Sequence, residues 1–378
     1  MPLGPFSGLL VIDLTRVLAG PFCTMMLAEL GARVIKVEMP GIGDDSRGFD
    51  PFIEGRSAYF LSLNRGKESI ALDLKDSSDR QVFGNLVSRA DVLVENFRPG
   101  TLDRLDLGYE LLRRVNSRLI YAAVSGFGQT GPCSHKPAYD MIVQAMGGLM
   151  SVTGQPGGSP MKAGSSIGDI TGGLFALAGI ASALYHRERT GVGMKVDVSM
   201  LDGQIAILEH AIMRYMTTGQ TPEPLGNRHP AITPFEPYAT ADRLLIIAAG
   251  NDLLFGRLCQ ALGRPDLTAD PRFATNRSRN RHADDLEMEL EAVLRTAPAT
   301  HWLEVLDTAG IPCSLIHTVA DAVEHPQVQA RNMIVTAGGL RMAGNPIKLS
   351  AFSDPPDRPP APDLDADGER IRREFTKD

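Results

Sequence analysis

Short apolar runs alternate with helical patterns along the first half of the chain. Leu9–Leu14 is an apolar run. After a turn, Pro21–Leu30 places apolar side chains at helical spacing, with Pro21 at the expected first helical position and Gly31 just past the end. Val34–Glu38 reads as a second strand, so the chain opens with a β-α-β unit and a parallel sheet. The alternation continues with a strand at Ile70–Leu74, a helix starting near Asp76, a strand at Val92–Asn96, a helical pattern at Tyr109–Val115 and a strand at Leu119–Ser125. The fold class this predicts is α/β, doubly wound, with ligands beyond the carboxyl ends of the strands. Those ends are Thr15–Gly20, Asn96–Gly100 and Gly126–Gly131.

The most apolar stretch, Ile170 to Tyr185, is short for a membrane span and carries Thr171, Gly172, Gly173, Gly179 and Ser182, which predicts a buried core helix. A strand at Lys195–Ser199 and a long helix at Met200–Met216 follow. Thr217–Pro234, rich in Gly, Pro and Thr around Gly226–Pro230, reads as a linker that doubles as an active-site loop. Tyr238–Ala249 predicts a hairpin turning at Ala241-Asp242, and helical patterns at Asp252–Leu262, His282–Thr296 and Thr300–Thr308 complete a smaller α+β domain. From Pro355 the chain is rich in Pro and Asp, the composition of a surface tail.

Charge narrows the function. The 378 residues carry 38 Lys+Arg against 45 Asp+Glu, a net charge of −7, and no basic stripe interleaved with aromatics, which argues against nucleic-acid binding. An acidic protein still holds a polyanion where local cations and helix N-termini are available. Cys23, Cys133, Cys259 and Cys313 are scattered, giving neither a disulfide framework nor a zinc knuckle. Met1-Pro2-Leu3-Gly4-Pro5 lacks the basic and apolar regions of a signal peptide. The expectation is a soluble, cytoplasmic protein with reduced thiols and no membrane association.

Gly126-Phe127-Gly128-Gln129-Thr130-Gly131 fits G-x-G-x-x-G after a strand, but a dinucleotide fingerprint needs a helix starting inside the motif. Pro132 and the polar segment Cys133–Pro137 follow instead, so NAD binding is not expected. The eight histidines include no H-x-x-x-H pair, and neither a G-x-S-x-G elbow nor a P-loop is present. No metal is expected. What remains is Ser165-Ser166-Ile167-Gly168-Asp169-Ile170-Thr171-Gly172-Gly173, an acid among small residues at the start of the buried helix. Asp169 is either a helix N-cap, accepting from the Ile170–Gly172 amides, or an attacking carboxylate, and the two roles are compatible. Asp140, after Tyr139 and before a helix, is a rival acid whose position reads as a cap.

These segments together resemble the family III CoA-transferases, the CaiB/BaiF group that includes formyl-CoA, carnitine and succinyl-CoA–glutarate transferases. The resemblance spans nearly the whole chain. It rests on Asp13–Pro21, Gly31–Glu38, Gly43–Arg47, Val94–Gly100, Gly126–Pro132, Tyr139-Asp140 and Gly168-Asp169. It implies a Rossmann-like large domain, residues 1–200 completed by 326–378, a linker helix and active-site loop at 201–235, and a small domain at 236–325. It also implies a homodimer whose chains thread through each other like linked rings. The acid at Asp169 would attack an acyl-CoA thioester to give a mixed anhydride, then an aspartyl-CoA thioester that an acceptor acid resolves.

Position by position, the resemblance assigns CoA contacts to Arg16, Val17, Ala19, Leu72, Lys75, Asn96, Phe97, Arg104 and Met200, with Lys75 and Arg104 as phosphate partners. Tyr139 matches an active-site tyrosine near the acyl group. Leu18 stands where formyl-CoA transferases carry an oxalate-binding glutamine, and their long glycine-rich loop is missing, which argues against formyl/oxalyl transfer. Thr15–Gly20 is nearest the branch using succinyl-CoA and other dicarboxylates. Arg47 and Arg228 are candidate clamps for a distal carboxylate. The racemase branch of the superfamily has a histidine base where this chain has Tyr139. An acyl-CoA racemase or epimerase, and a non-catalytic CoA-binding protein, are the alternatives. Asp363-Leu364-Asp365-Ala366-Asp367 replaces the family's usual leucine-glycine-x-histidine-threonine stretch.

Overall fold

The computed structural model describes residues 4–376. Met1-Pro2-Leu3, part of the N-terminus read above, lies outside the described residues. The chain folds as two compact units, the first comprising Met1–Met150, Lys162–Gln220 and Pro326–Asp378, the second Ser151–Met161 and Thr221–His325.

The first unit is built on a six-stranded sheet. Its strands are β1 Leu10–Asp13, β2 Arg33–Glu38, β3 Glu68–Ala71, β4 Val92–Glu95, β5 Ile120–Ser125 and β6 Lys195–Ser199. All neighbours pair in parallel, in the order β3-β2-β1-β4-β5-β6. The order reverses direction between β1 and β4, which opens a crevice at their carboxyl ends. The central strands are covered on both faces and are mostly apolar, whereas edge strand β6, with Lys195 and Asp197 outward, is only partly covered. Val11, Val92, Val94, Ile120, Ala122 and Val124 point into one core with helices α1 (Ala19–Glu29) and α6 (Ile167–Thr190). Ile12, Ile35, Leu93, Tyr121 and Ala123 point into the other. That second core is closed by α3 (Ser77–Arg89) and α4 (Tyr109–Val115). Between α1 and α3 lies α2 (Ala58–Asn64), and α5 (Asp140–Met146) precedes α6.

Several boundaries differ from the sequence reading. α1 begins at Ala19, so Pro21 is its third residue; that costs nothing, because the first amides of a helix have no intrahelical acceptor. The helix expected over Met200–Met216 is two, α7 (Met200–Ile207) and α8 (Glu209–Thr218), broken at Leu208. Between β5 and α5 no helix forms, and Gly128 and Gly131 adopt positive φ.

The Asp-rich tail is not a loose surface segment. Ser69 and Ala71 of edge strand β3 donate their N–H groups to the carboxylates of Asp367 (3.0 Å) and Asp365 (2.8 Å). The helix that follows, Gly368–Phe375, buries Ile371 and Phe375 in the second core. The tail thus seals an edge that would otherwise offer unpaired backbone groups. A small sheet pairs Ile334–Ala337 with Leu340–Ala343 (antiparallel) and with Asp357–Arg358 (parallel).

Helix α6 is the one described helix long and apolar enough to cross a membrane by length and composition, and half of its most apolar window is buried inside the chain. It is packed as a core helix. Its glycines permit unusually close neighbours. A Cβ at Gly173 would stand 2.6 Å from the Ala19 carbonyl oxygen, and one at Gly179 would stand 2.6 Å from Val196 Cγ1.

In the second unit, strands β7 (Phe235–Ala239) and β8 (Leu244–Ala248) form the expected antiparallel hairpin, and β9 (Cys313–Leu315), which the sequence pattern did not reveal, adds to it. Helices α9 (Asp252–Ala261), α10 (Asn276–Arg281), α11 (Ala283–Leu294) and α12 (Ala299–Thr308) complete the unit. Its own core includes Tyr238, Ile247, Phe255, Leu290 and Trp302.

Gly173→Ala should destabilise the protein by about 1–3 kcal/mol, because the neighbour at 2.6 Å is backbone and cannot yield. Gly84→Ala in α3, where nothing lies within 4 Å, should stabilise it by about 0.4–1 kcal/mol. Chemical denaturation of both variants checks the pair; equal effects would contradict the close approach of α6 to α1.

Candidate active site

Buried charge shapes the loop after β1. Asp13, at the strand's end, is fully buried; it pairs with buried Lys67 at 2.9 Å and accepts from Thr24 Oγ1 in α1 at 2.7 Å. Burial alone would raise the Asp13 carboxyl, but the ammonium groups of Lys67 and Lys36 overcome it and hold the acid well below the usual carboxylate range. Lys36 Nζ donates to the Thr15 carbonyl at 2.7 Å and pairs with buried Asp44 at 2.9 Å. Removing one partner of such a pair strands the other as a buried charge.

Asp44 in turn accepts the Val17 N–H at 3.1 Å and the Ser46 N–H at 2.9 Å. Val17 sits at φ 68°, a conformation that costs a β-branched residue about 1–3 kcal/mol. From the β4 side, Asn96 Oδ1 accepts the Arg16 N–H at 2.9 Å and Asn96 Nδ2 donates to the Arg16 carbonyl at 2.8 Å. The loops after β1 and β4 are therefore laced together across the switch point.

Asp169 arrives from the opposite side. The sequence left it as a possible N-cap, but α6 starts earlier, at Ile167, and Ser166 is its cap residue with no side-chain cap bond. Asp169 is the third residue of the helix. The missing cap comes from Asp140, whose Oδ1 accepts the Gly168 N–H at 2.7 Å. Asp140 is a cap, as expected, but of α6 and not of its own helix. Asp169 itself receives no hydrogen bond from any described residue. Burial, with the Asp140 charge as a second cause, pushes its carboxyl up to about 7.

These pieces enclose a cavity of about 330 Å³ at the switch point. Arg16, Val17, Leu18 and Ala19 form one wall, Asn96 and Phe97 another, and Tyr139, Asp169 and Met200 a third. A second cavity, about 460 Å³, lies alongside, with Arg16, Asp45, Phe97 and Thr101 common to both. It is largely apolar, lined by Val37, Ile42, Leu72, Leu74 and Leu105, with exposed Lys75 among its wall residues. Arg16 lies over the Phe97 ring at 5.4 Å and pairs with Asp45 at 3.2 Å. Arg104 lines neither cavity; its guanidinium donates to Thr101 Oγ1 at 3.2 Å.

The two candidate clamps are engaged by the protein's own acids. Arg47 pairs with Glu38 at 2.7 Å and lies 3.7 Å from the centre of the Phe60 ring. Arg228 belongs to the second unit, where Glu236 (3.0 Å), Asp284 (2.6 Å) and Glu287 (2.8 Å) surround its guanidinium.

Sequence reasoning missed three groups. Asp44 holds Val17; the Asp-x-Ser spacing of Asp44 and Ser46 was the available signal. Glu95 takes the Phe97 N–H at 2.7 Å, and burial pushes its carboxyl up to about 7. Ser125 lines the first cavity, and its Oγ is buried without a hydrogen-bond partner among the described residues.

The sequence profile of CoA-transferase family III matches residues 6–368. The chain belongs to that family. It is 53% identical to an acetyl-CoA:oxalate CoA-transferase of Acetobacter aceti over 375 residues, 99% of this chain and 96% of that one. It is 43% identical to a succinate–glutarate CoA-transferase of Agrobacterium fabrum (88% of this chain, 84% of that one). A solved CaiB/BaiF family protein from Brucella suis superposes with a TM-score of 0.87 at 40% identity, covering 99% of this chain and 100% of that one. As a family III member the protein is an acyl-CoA:carboxylate CoA-transferase, with CoA thioesters as substrates.

The raised Asp169 carboxyl has a consequence for stability. Between the ordinary aspartate range, near 4, and about 7, the folded protein holds a proton that the unfolded chain has released. Asp169 therefore lowers stability as pH rises through that window. Asp169→Asn should melt above the wild type at pH 8, with the difference shrinking toward pH 5. A pH-independent difference in melting temperature would contradict the assignment.

Proposed function

We propose that Asp169 is the carboxylate acylated during CoA transfer. The observation that carries this is its placement: a partly buried acid, receiving no hydrogen bond, on the wall of the switch-point cavity. Such a carboxylate is poorly solvated and correspondingly nucleophilic. One Asp169 oxygen attacks the thioester carbonyl, the C–S bond breaks, and CoA thiolate leaves behind a mixed anhydride. The thiolate attacks the Asp169 carbonyl, the anhydride C–O bond breaks, and the donor acid departs as its carboxylate. The acceptor carboxylate then attacks the aspartyl thioester, and the thiolate returned by that step attacks the acceptor acyl carbon. Asp169 is regenerated. No electrons are exchanged and no net proton is consumed.

CoA would lie across the two adjoining cavities of a Rossmann-like domain. The apolar one, with Leu72 inside and Lys75 at its wall, suits the adenosine end, and the one holding Asp169 suits the thioester. Arg16, Val17, Ala19, Asn96, Phe97 and Met200 would line the path, with Arg104 reaching the phosphates beside Thr101 and Tyr139 facing the acyl group. For the acids, the similarity to transferases named for oxalate and for succinate–glutarate supports small dicarboxylates as donors or acceptors. Leu18 without its glutamine no longer argues against oxalate, since the 53% identical relative is named for that acid. Reading of a distal carboxylate by Arg47 or Arg228 would require an exchange of ion-pair partners. The interlocked homodimer is supported by α8, which has no buried residue and exposes Met213 and Met216, and by exposed Leu174 and Phe175 on α6.

Transfer from acetyl-CoA or succinyl-CoA to oxalate, succinate and glutarate tests the reading. We expect turnover with at least one pair, an Asp169→Ala variant reduced by about 10³-fold or more, and sedimentation at twice the chain mass. Transfer retained by Asp169→Ala would overturn the nucleophile assignment, and a monomer would overturn the linked rings.

A further inference from the structure

We propose that Asp140 is a positioning residue whose fixed negative charge sets the basicity of Asp169; this rests on Asp169 being the acylated group. The geometry is specific. Asp140 Oδ1 accepts the Gly168 N–H and Oδ2 accepts from Gln144 Nε2, each at 2.7 Å. Gln144 is fully buried, and its Oε1 accepts the Ala163 N–H at 2.9 Å. The carboxylate is thereby locked against the turn of α6 that carries Asp169. A Cβ on Gly168 would come within 2.9 Å of Asp140 Oδ1, so only glycine admits this approach.

The two acids divide the resources of one helix N-terminus unequally. Asp140 takes an amide donor from Gly168 and a buried side-chain donor from Gln144, which fix where its carboxylate lies. Asp169, next in the chain after the donating Gly168, receives none and feels the charge of its neighbour, one of the two causes of its raised proton affinity. The groups facing Asp169 from other elements are few in kind. Tyr59 of α2 feels its charge, Tyr139 shares its wall, and Arg16, Asp45, Arg98 and Lys136 line the same cavity.

This division acts on the chemistry. Repulsion exists while Asp169 is a free carboxylate. It disappears when Asp169 becomes an anhydride or thioester, because the acylated side chain is neutral. An interaction unfavourable before acylation and absent after it lowers the barrier to forming the covalent state. The hydrogen bond from the Gly168 N–H holds Asp140 beside the turn that carries Asp169, where the repulsion acts.

The test is the pH dependence of kcat for acyl-CoA–acid exchange in the wild type, Asp140→Asn, Gln144→Met and Asp169→Ala. Asparagine at 140 still accepts the Gly168 N–H but carries no charge. The acid limb of its profile should move down by about one pH unit, and its kcat at pH 8 should fall severalfold. Gln144→Met removes one hydrogen bond to Asp140 but leaves its charge and its bond from the Gly168 N–H, so its limb should stay near that of the wild type. An unmoved limb in Asp140→Asn, or an equal move in Gln144→Met, would overturn the proposal. Activity surviving in Asp169→Ala would instead overturn the reading on which it rests.

Discussion

The close packing of α6 against α1 is the constraint on which the site depends. With side-chain carbon at Gly173 the two helices could not approach, since the Ala19 carbonyl already occupies that space. The same contact delivers the first turn of α6, and with it Asp169, to the carboxyl ends of β1 and β4. Glycine is costly inside a helix, by about 1 kcal/mol relative to alanine. Here Gly168, Gly172, Gly173 and Gly179 exchange that cost for proximity, each standing where a Cβ would meet a neighbour at 3.1 Å or less.

The second constraint is electrostatic. Asp13, Lys67, Lys36 and Asp44 are all buried and mutually compensating, and together they hold a loop whose Val17 backbone is strained. Strain of this kind persists only where the surroundings over-determine it. One wall of the crevice is thus rigid through paired charge and the other through close helix packing. Between them stands Asp169, which receives no hydrogen bond from any described residue. The electrostatic background is also uneven, because Asp140, held on the Gly168 N–H, places a second acid near Asp169.

Much of the sheet was legible in the chain because its central strands, such as Val92–Glu95 and Ile120–Ser125, are buried on both faces and appear as mostly apolar runs. Tyr109–Val115 and Lys195–Ser199 fall where the pattern placed them. Helix starts were less legible. Pro21 was read as the first helical residue and Asp169 as a possible N-cap, yet both lie at the third helical position; the Gly168 amide ahead of Asp169 is satisfied by a residue remote in the chain, Asp140. The edge-sealing role of Asp365 and Asp367 was invisible for the same reason: their partners, Ala71 and Ser69, are about three hundred residues away. The residues that the family resemblance drew to one chemistry come together mainly on one cavity wall system, whereas the buried ion pairs beneath them join positions as separate as Asp13 and Lys67, and no local periodicity reports such contacts.

The most direct measurement is the intact mass of the protein after incubation with acetyl-CoA or succinyl-CoA and hydroxylamine, followed by peptide mapping. Hydroxylamine captures an aspartyl thioester or anhydride as a hydroxamate. The account predicts a small mass gain confined to the peptide bearing Asp169 and absent from Asp169→Ala. A gain on another peptide, or none with any acyl-CoA that supports turnover, would contradict it.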